Sequence, residues 1–228
     1  MMNAVILLAT AAFADPLNAW PGAAGAGESA IAPSVVASSG STEGSMTVTQ
    51  GLGNGVEMNA GFGYANAPGS GSLALTPRVF VIDQLGFAAD ASMDEAGGWS
   101  VGPAVHGVFE GDNATIIANI GWQHTDADTD EVALTIAPEY GFTNRLSVYM
   151  EVSPSVDLVE SLPALELVPG VGISLDREGN HALSMGVGIP TGAPEEAYGG
   201  IWYAAGFMGS QRLADREAAK TGSTVASR

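Results

Sequence analysis

From residue 31 to residue 208, apolar positions alternate with small or polar ones in segment after segment. In 114–124, Ala114, Ile116, Ala118, Ile120 and Trp122 fall on one face and Thr115, Asn119, Gly121 and Gln123 on the other, with Ile117 the one exception. Successive strand residues point to opposite faces, so a period of two predicts β-strands. Segments with this period are 45–51, 56–66, 72–82, 85–93, 99–109, 114–124, 131–140, 145–155, 164–175, 181–190 and 198–208; 31–39 is a further candidate. Gly53-Asn54-Gly55 is a strong tight-turn signal. Asp83-Gln84, Glu110 to Asn113, Gly141 to Asn144 and Asp176 to Asn180 supply further turns. These turns alternate with longer, acidic connections, as periplasmic turns alternate with extracellular loops in bacterial barrels.

The two faces differ in a way that chooses the architecture. In 56–66, Val56, Met58, Ala60, Phe62 and Tyr64 oppose Glu57, Asn59, Gly61 and Gly63; in 145–155, Leu146, Val148, Met150 and Val152 oppose Ser147, Tyr149, Glu151 and Ser153. The non-apolar face is too poor in Lys and Glu to be a solvated exterior. Trp99 and Trp122 sit on the apolar face at the long-connection end, and Phe109 and Tyr140 on that face at the turn end. Aromatic girdles at both rims mark a membrane barrel. The expectation is an all-β, antiparallel, up-and-down transmembrane β-barrel of about 12 strands (10–12), the even number usual in bacterial barrels. The alternative is a secreted soluble β-sandwich with those four aromatics in its core.

Composition supports export to a membrane. The 228 residues hold 31 glycines, 46% apolar and only 14% charged residues, the balance of strands with one lipid face and one small or polar face. No apolar run approaches the roughly 18 residues of a transmembrane helix. Met1 to Ala14 has an apolar stretch ending in Ala12-Phe13-Ala14, a signal-peptide cleavage pattern, although no Lys or Arg precedes it. The domain reading is therefore a signal peptide at 1–14, a flexible lead-in or plug at 15–30, a barrel at 31–208 and a polar C-terminal tail at 209–228. The expected location is the bacterial outer membrane, with lipid as the surrounding partner and a monomeric state.

Charge narrows the partners. Asp and Glu number 25 against seven Lys and Arg, a formal charge of −18. Neutralising phosphate takes basic residues, so nucleic acid is excluded. Cysteine is absent, which excludes disulfides and thiolate metal sites. Strand parity directs Glu57, Asn59, Arg78, Asp90, His106, Asn119, Gln123, Tyr149, Glu151 and Glu166 into the lumen. Arg78 is the one basic residue well inside a strand and is expected to pair with an inward carboxylate, either as a solute filter or as a structural ion pair. Asp126, Asp128 and Asp130 form a weak calcium candidate, since hard cations take clustered carboxylates; a solvated acidic loop is the alternative, and no metal or other cofactor is expected. His106, His124 and His181 are scattered with no serine nucleophile motif beside them, so no enzymatic activity is expected. Gly51-Leu52-Gly53 precedes no helix that could present amides to a nucleotide.

Residues 138–150, PEYGFTNRLSVYM, and 48–64, VTQGLGNGVEMNAGFGY, resemble hairpins of the outer-membrane barrels of the meta-pathway phenol-degradation family. Residues 77–87 and 184–192 fit the same style, and the resemblance spans roughly 45–208. It implies an outer-membrane barrel that takes up aromatic or other hydrophobic small molecules. It brings no set of binding residues. The chain departs from outer-membrane habit in continuing past its final apolar strand, GGIWYAAGFM, by about twenty residues. The functional expectation is a channel or transporter for small solutes; the alternative is a structural or surface-interaction barrel with a closed lumen.

Overall fold

The computed structural model describes residues 27–207, apart from 67–68, 83, 112, 144, 161, 176–180 and 193. The expected signal peptide, most of the 15–30 lead-in and the 209–228 tail lie outside the described residues. Twelve antiparallel strands form one closed barrel in sequence order. They are β1 (Ser29–Ser38), β2 (Thr42–Gly53), β3 (Val56–Ala65), β4 (Ser70–Ile82), β5 (Leu85–Asp94), β6 (Trp99–Glu110), β7 (Ala114–Thr125), β8 (Asp130–Thr143), β9 (Leu146–Asp157), β10 (Leu162–Ser174), β11 (His181–Pro190) and β12 (Tyr198–Phe207). A 3-10 turn, Pro194–Glu196, precedes β12. β1 closes the sheet by pairing with β12, from Ser29 opposite Phe207 to Ser38 opposite Tyr198. Closure leaves no strand edge unpaired, which a barrel in hydrocarbon requires. The sheet is thus one barrel and not the two packed sheets of a sandwich.

Strand bounds differ from the hydrophobic pattern where side chains carry no period. β1 begins at Ser29 and β2 at Thr42, because small and polar residues there still pair through the backbone, Ala30 with Thr49 and Ala37 with Thr42. The same extension shortens the connections. At one end they span 39–41, 66–69, 95–98, 126–129, 158–161 and 191–197; at the other, 54–55, 83–84, 111–113, 144–145 and 175–180. The expected contrast between tight turns and long loops is therefore modest. At 126–129 the backbone itself closes the connection, with Thr125 N–H donating to Thr129 O at 3.1 Å. The β2–β3 turn follows the Asn-Gly expectation: Gly53, Asn54 and Gly55 all have positive φ, at 95°, 54° and 74°.

Apolar side chains point outward. Phe62, Ile120 and Ile201 are 49%, 50% and 52% exposed, whereas Glu57 and Glu151 on the inner face are 4% and 1% exposed. This inverts a soluble protein and matches the outer band of a barrel solvated by lipid. Trp99 and Trp122 lie on the outer face at the loop end, where the outward-facing His124 ring stacks on Trp122 at 6.2 Å and tilts against Trp99 at 5.7 Å. Phe109 and Tyr140 lie at the turn end, where Tyr140 meets Phe142 edge to face at 5.2 Å.

β6 and β7 approach each other closely at Gly102. A Cβ there would collide with the backbone carbonyl of Trp122, beside Pro103, which has no N–H to hold the ladder in place. Gly102→Ala is expected to cost about 1–3 kcal/mol, since backbone overlap cannot be relieved by a rotamer change. A urea titration of the refolded barrel in detergent micelles reads this as a lowered midpoint; an unchanged midpoint would show that the strands part freely.

Candidate functional site: the barrel lumen

The inner face is built by the same alternation that builds the outer one. On β3 and β4, Glu57 stands directly opposite Arg78 in the register, and their side chains form an ion pair at 3.3 Å with both groups buried. Asn59, next inward on β3, donates to Glu57 Oε1 at 3.4 Å and accepts a short hydrogen bond from Thr49. Across β4, Arg78 stands opposite Ala88 of β5. Asp90, two residues further along β5, accepts from Thr76 Oγ1 at 2.6 Å. His106 on β6 stands opposite Gly86, and its Nδ1 donates to Asn119 Oδ1 of β7 at 2.7 Å. Arg78 Nε, Asp90 Oδ2 and His106 Nε2 are buried without hydrogen-bond partners. The small side chain of Ala88 lies between these three residues in the sheet, so a donor, a carboxylate oxygen and a ring nitrogen are grouped on one stretch of inner wall.

The remaining candidates fall elsewhere on the wall. Gln123 donates to Ser100 Oγ at 2.7 Å near the loop end. Glu151 of β9 accepts from Ser153 Oγ at 2.9 Å. Glu166 of β10 accepts a hydrogen bond from the phenol of Tyr198 on β12. Tyr149 donates to Met185 O at 3.4 Å. Its ring reaches over β10 and β11, because Cβ atoms at Gly170 and Gly186 would run into it.

Several inward residues were not among those the sequence pattern singles out, four of them aromatic or acidic and close to the candidates above. Tyr198 and Trp202 of β12 face the lumen, and Cβ atoms at Gly188 and Gly200 would occupy the space of their rings. Glu139 of β8 reaches the inner wall at Gly172, its Oε1 lying 3.7 Å from where a Cβ would stand. Glu131 shares the inward parity, opposite Gln123. Parity alone assigns Glu131 and Glu139. In YGGIWYAAGF, however, apolar residues occupy both faces, which hid Tyr198 and Trp202.

Asp126, Asp128 and Asp130 do not converge. Asp126 Oδ1 accepts from Trp99 N–H at 3.3 Å, Asp130 Oδ1 bonds His124 Nδ1 at 3.1 Å, and Asp128 adopts a positive φ of 57°. Among the described residues no group of three or more His, Cys, Asp and Glu side chains could hold a metal ion. The histidines are dispersed as well: His106 faces in, while His124 and His181 face out from different strands, the latter bonded to Tyr203 Oη at 2.8 Å.

Solved outer-membrane barrels share this closed fold. The KdgM porin superposes with a TM-score of 0.63 at 11% identity, covering 78% of this chain and 99% of that one. The chain shares the fold of outer-membrane porins. The COG4313 outer membrane channel from Pseudomonas putida F1 gives a TM-score of 0.56 at 10% identity, over 85% of this chain and 99% of that one. The NanC porin gives 0.56 at 9% identity, over 78% and 98%. A further KdgM porin structure is a complex with disordered oligogalacturonate. No family model matches the chain, the phenol-degradation barrels included, and no curated protein matches it.

Proposed function

We propose that this chain is a monomeric channel of the bacterial outer membrane that passes or binds small solutes. The observation that carries the reading is the inverted distribution of side chains: apolar residues cover the outside, while carboxylates, amides and an arginine line the inside. Lipid outside and water or solute inside account for both faces. The fold shared with porins supports the same reading, and the signal-peptide pattern at 1–14 would supply export. A hydrophobic or aromatic solute is favoured by the resemblance to the phenol-degradation barrels and by the rings of Tyr149, Tyr198 and Trp202 on the inner wall. An acidic oligosaccharide like that in the KdgM complex fits this lumen poorly, because its carboxylates would meet carboxylates.

A second reading, a structural barrel with a closed lumen, is favoured by how little of the inner wall is exposed: Glu151 1%, Val168 2% and Ala137 3%. Planar-bilayer conductance and liposome swelling separate the two. The channel predicts discrete conductance steps and solute-driven swelling. Silence in both assays would leave the structural barrel.

A further inference from the structure

The charge of the lumen is one-sided. Glu57, Asp90, Glu131, Glu139, Glu151 and Glu166 occupy inward positions on β3, β5, β8, β9 and β10, whereas among the described residues Arg78 is the one inward cation. Arg78 cannot reverse that sign. Glu57 holds it at 3.3 Å, and Asp90 adds a second carboxylate beside it with one oxygen unpartnered. Fixed charges of one sign between low-dielectric walls focus their field along a passage and concentrate counter-ions. Inward Asp and Glu side chains are the usual means of making a pore cation-selective.

An independent feature concerns the body of the solute. The rings of Tyr149, Tyr198 and Trp202 are laid against Gly170, Gly186, Gly188 and Gly200. Glycine removes the Cβ that would otherwise prop each ring off the wall. Tyr149 is buried, whereas Tyr198 and Trp202 keep part of their surface open. Tyr198 also holds the Glu166 carboxylate through its hydroxyl and interacts electrostatically with Glu151. Aromatic faces beside carboxylates attract a cation twice, through the ring quadrupole and through the full negative charge.

We propose that the passage selects cations and retains organic cations, a positively charged nitrogen on an apolar or aromatic body, along the inner face of β12 at Tyr198 and Trp202 with Glu166 and Glu151 beside them. This rests on the channel reading above. The test uses the full chain refolded into planar bilayers under a tenfold KCl gradient. The reversal potential is expected to move toward the potassium equilibrium potential. Benzyltrimethylammonium chloride is then expected to block the current saturably, and sodium benzenesulfonate at the same concentrations to leave it unchanged. Tyr198→Leu and Trp202→Leu, each with folding checked by circular dichroism, should raise the half-blocking concentration by about 2- to 30-fold, the span of a single cation–π contact.

The separate outcomes discriminate. An open channel that prefers chloride, or that both aromatic ions block alike, overturns the inference and leaves the channel intact. A bilayer with no current removes the channel and the inference with it. If one leucine variant does not fold, the other and the wild-type selectivity still decide.

Discussion

Glu57→Leu is expected to destabilise the barrel by about 3–5 kcal/mol, the cost of leaving a buried charge without its partner. Arg78 is 8% exposed and its ion pair with Glu57 lies well inside the sheet. The guanidinium cannot lose its proton to escape the penalty. Asp90 lies close enough to take over part of the attraction, which places the result toward the lower end of that range. Glu57→Leu combined with Arg78→Met removes both charges and fills the space with apolar side chains, and such replacements are often neutral or better. The double variant is therefore expected to unfold near the wild-type urea concentration, well above the Glu57→Leu single variant. If the losses of the two single variants simply add in the double, Glu57 and Arg78 are not coupled, and the pair is an accident of proximity.

That pair also shows how far the sequence could be read. Parity placed Arg78 and several carboxylates on one face, because a strand alternates strictly and large apolar residues mark the other side. Choosing Glu57 over Asp90 required the register, in which Glu57 stands directly opposite Arg78 while Asp90 is displaced two residues along β5. The faces of β3, β7 and β9 were legible for the same reason, and so were the outward positions of Trp99, Trp122, Phe109 and Tyr140. The beginnings of β1 and β2 were not, since Ser29-Ala30 and Thr42-Glu43-Gly44 pair through backbone groups that leave no hydrophobic trace. Nor was the fit of rings to glycines. Such contacts join residues on different strands, as Tyr149 of β9 with Gly170 of β10 and Gly186 of β11, or lie where apolar residues fill both faces, as at Trp202. The length of the acidic connections was overestimated, because strand pairing continues through polar residues up to Thr125 and resumes at Asp130.

The division of labour between the faces explains why so many inward positions are glycine or alanine. Twelve strands enclose more space than eight, yet not the wide aqueous channel of a sixteen-stranded porin. Large inward side chains are thus confined to places where small neighbours admit them. Tyr149, Tyr198 and Trp202 each lie over glycine, and Phe80 does so over Gly86, where a Cβ would stand 3.0 Å from the ring.

The outer face makes the opposite demand, and one residue tests it. Ile120 projects outward near the middle of β7, between Val105 of β6 and Leu134 of β8, and is 50% exposed. On a soluble protein, arginine at such a position would be nearly neutral, since surface substitutions usually stay within about 0.5 kcal/mol. In a bilayer the guanidinium must be drawn into hydrocarbon or reach a distant headgroup, which costs about 2–4 kcal/mol at the midplane and about 0–1 near an interface. Ile120→Arg is therefore expected to lose about 2–4 kcal/mol of folding free energy in lipid vesicles. Ile116→Arg, four residues along β7 toward the turn end and on the same face, is expected to lose less. The gradient between the two positions, measured by urea titration in the same vesicles, is the diagnostic quantity, because it depends on depth and a general loss of packing does not. Negligible costs at both positions would mean that the apolar exterior does not meet lipid, and the membrane assignment would go with it.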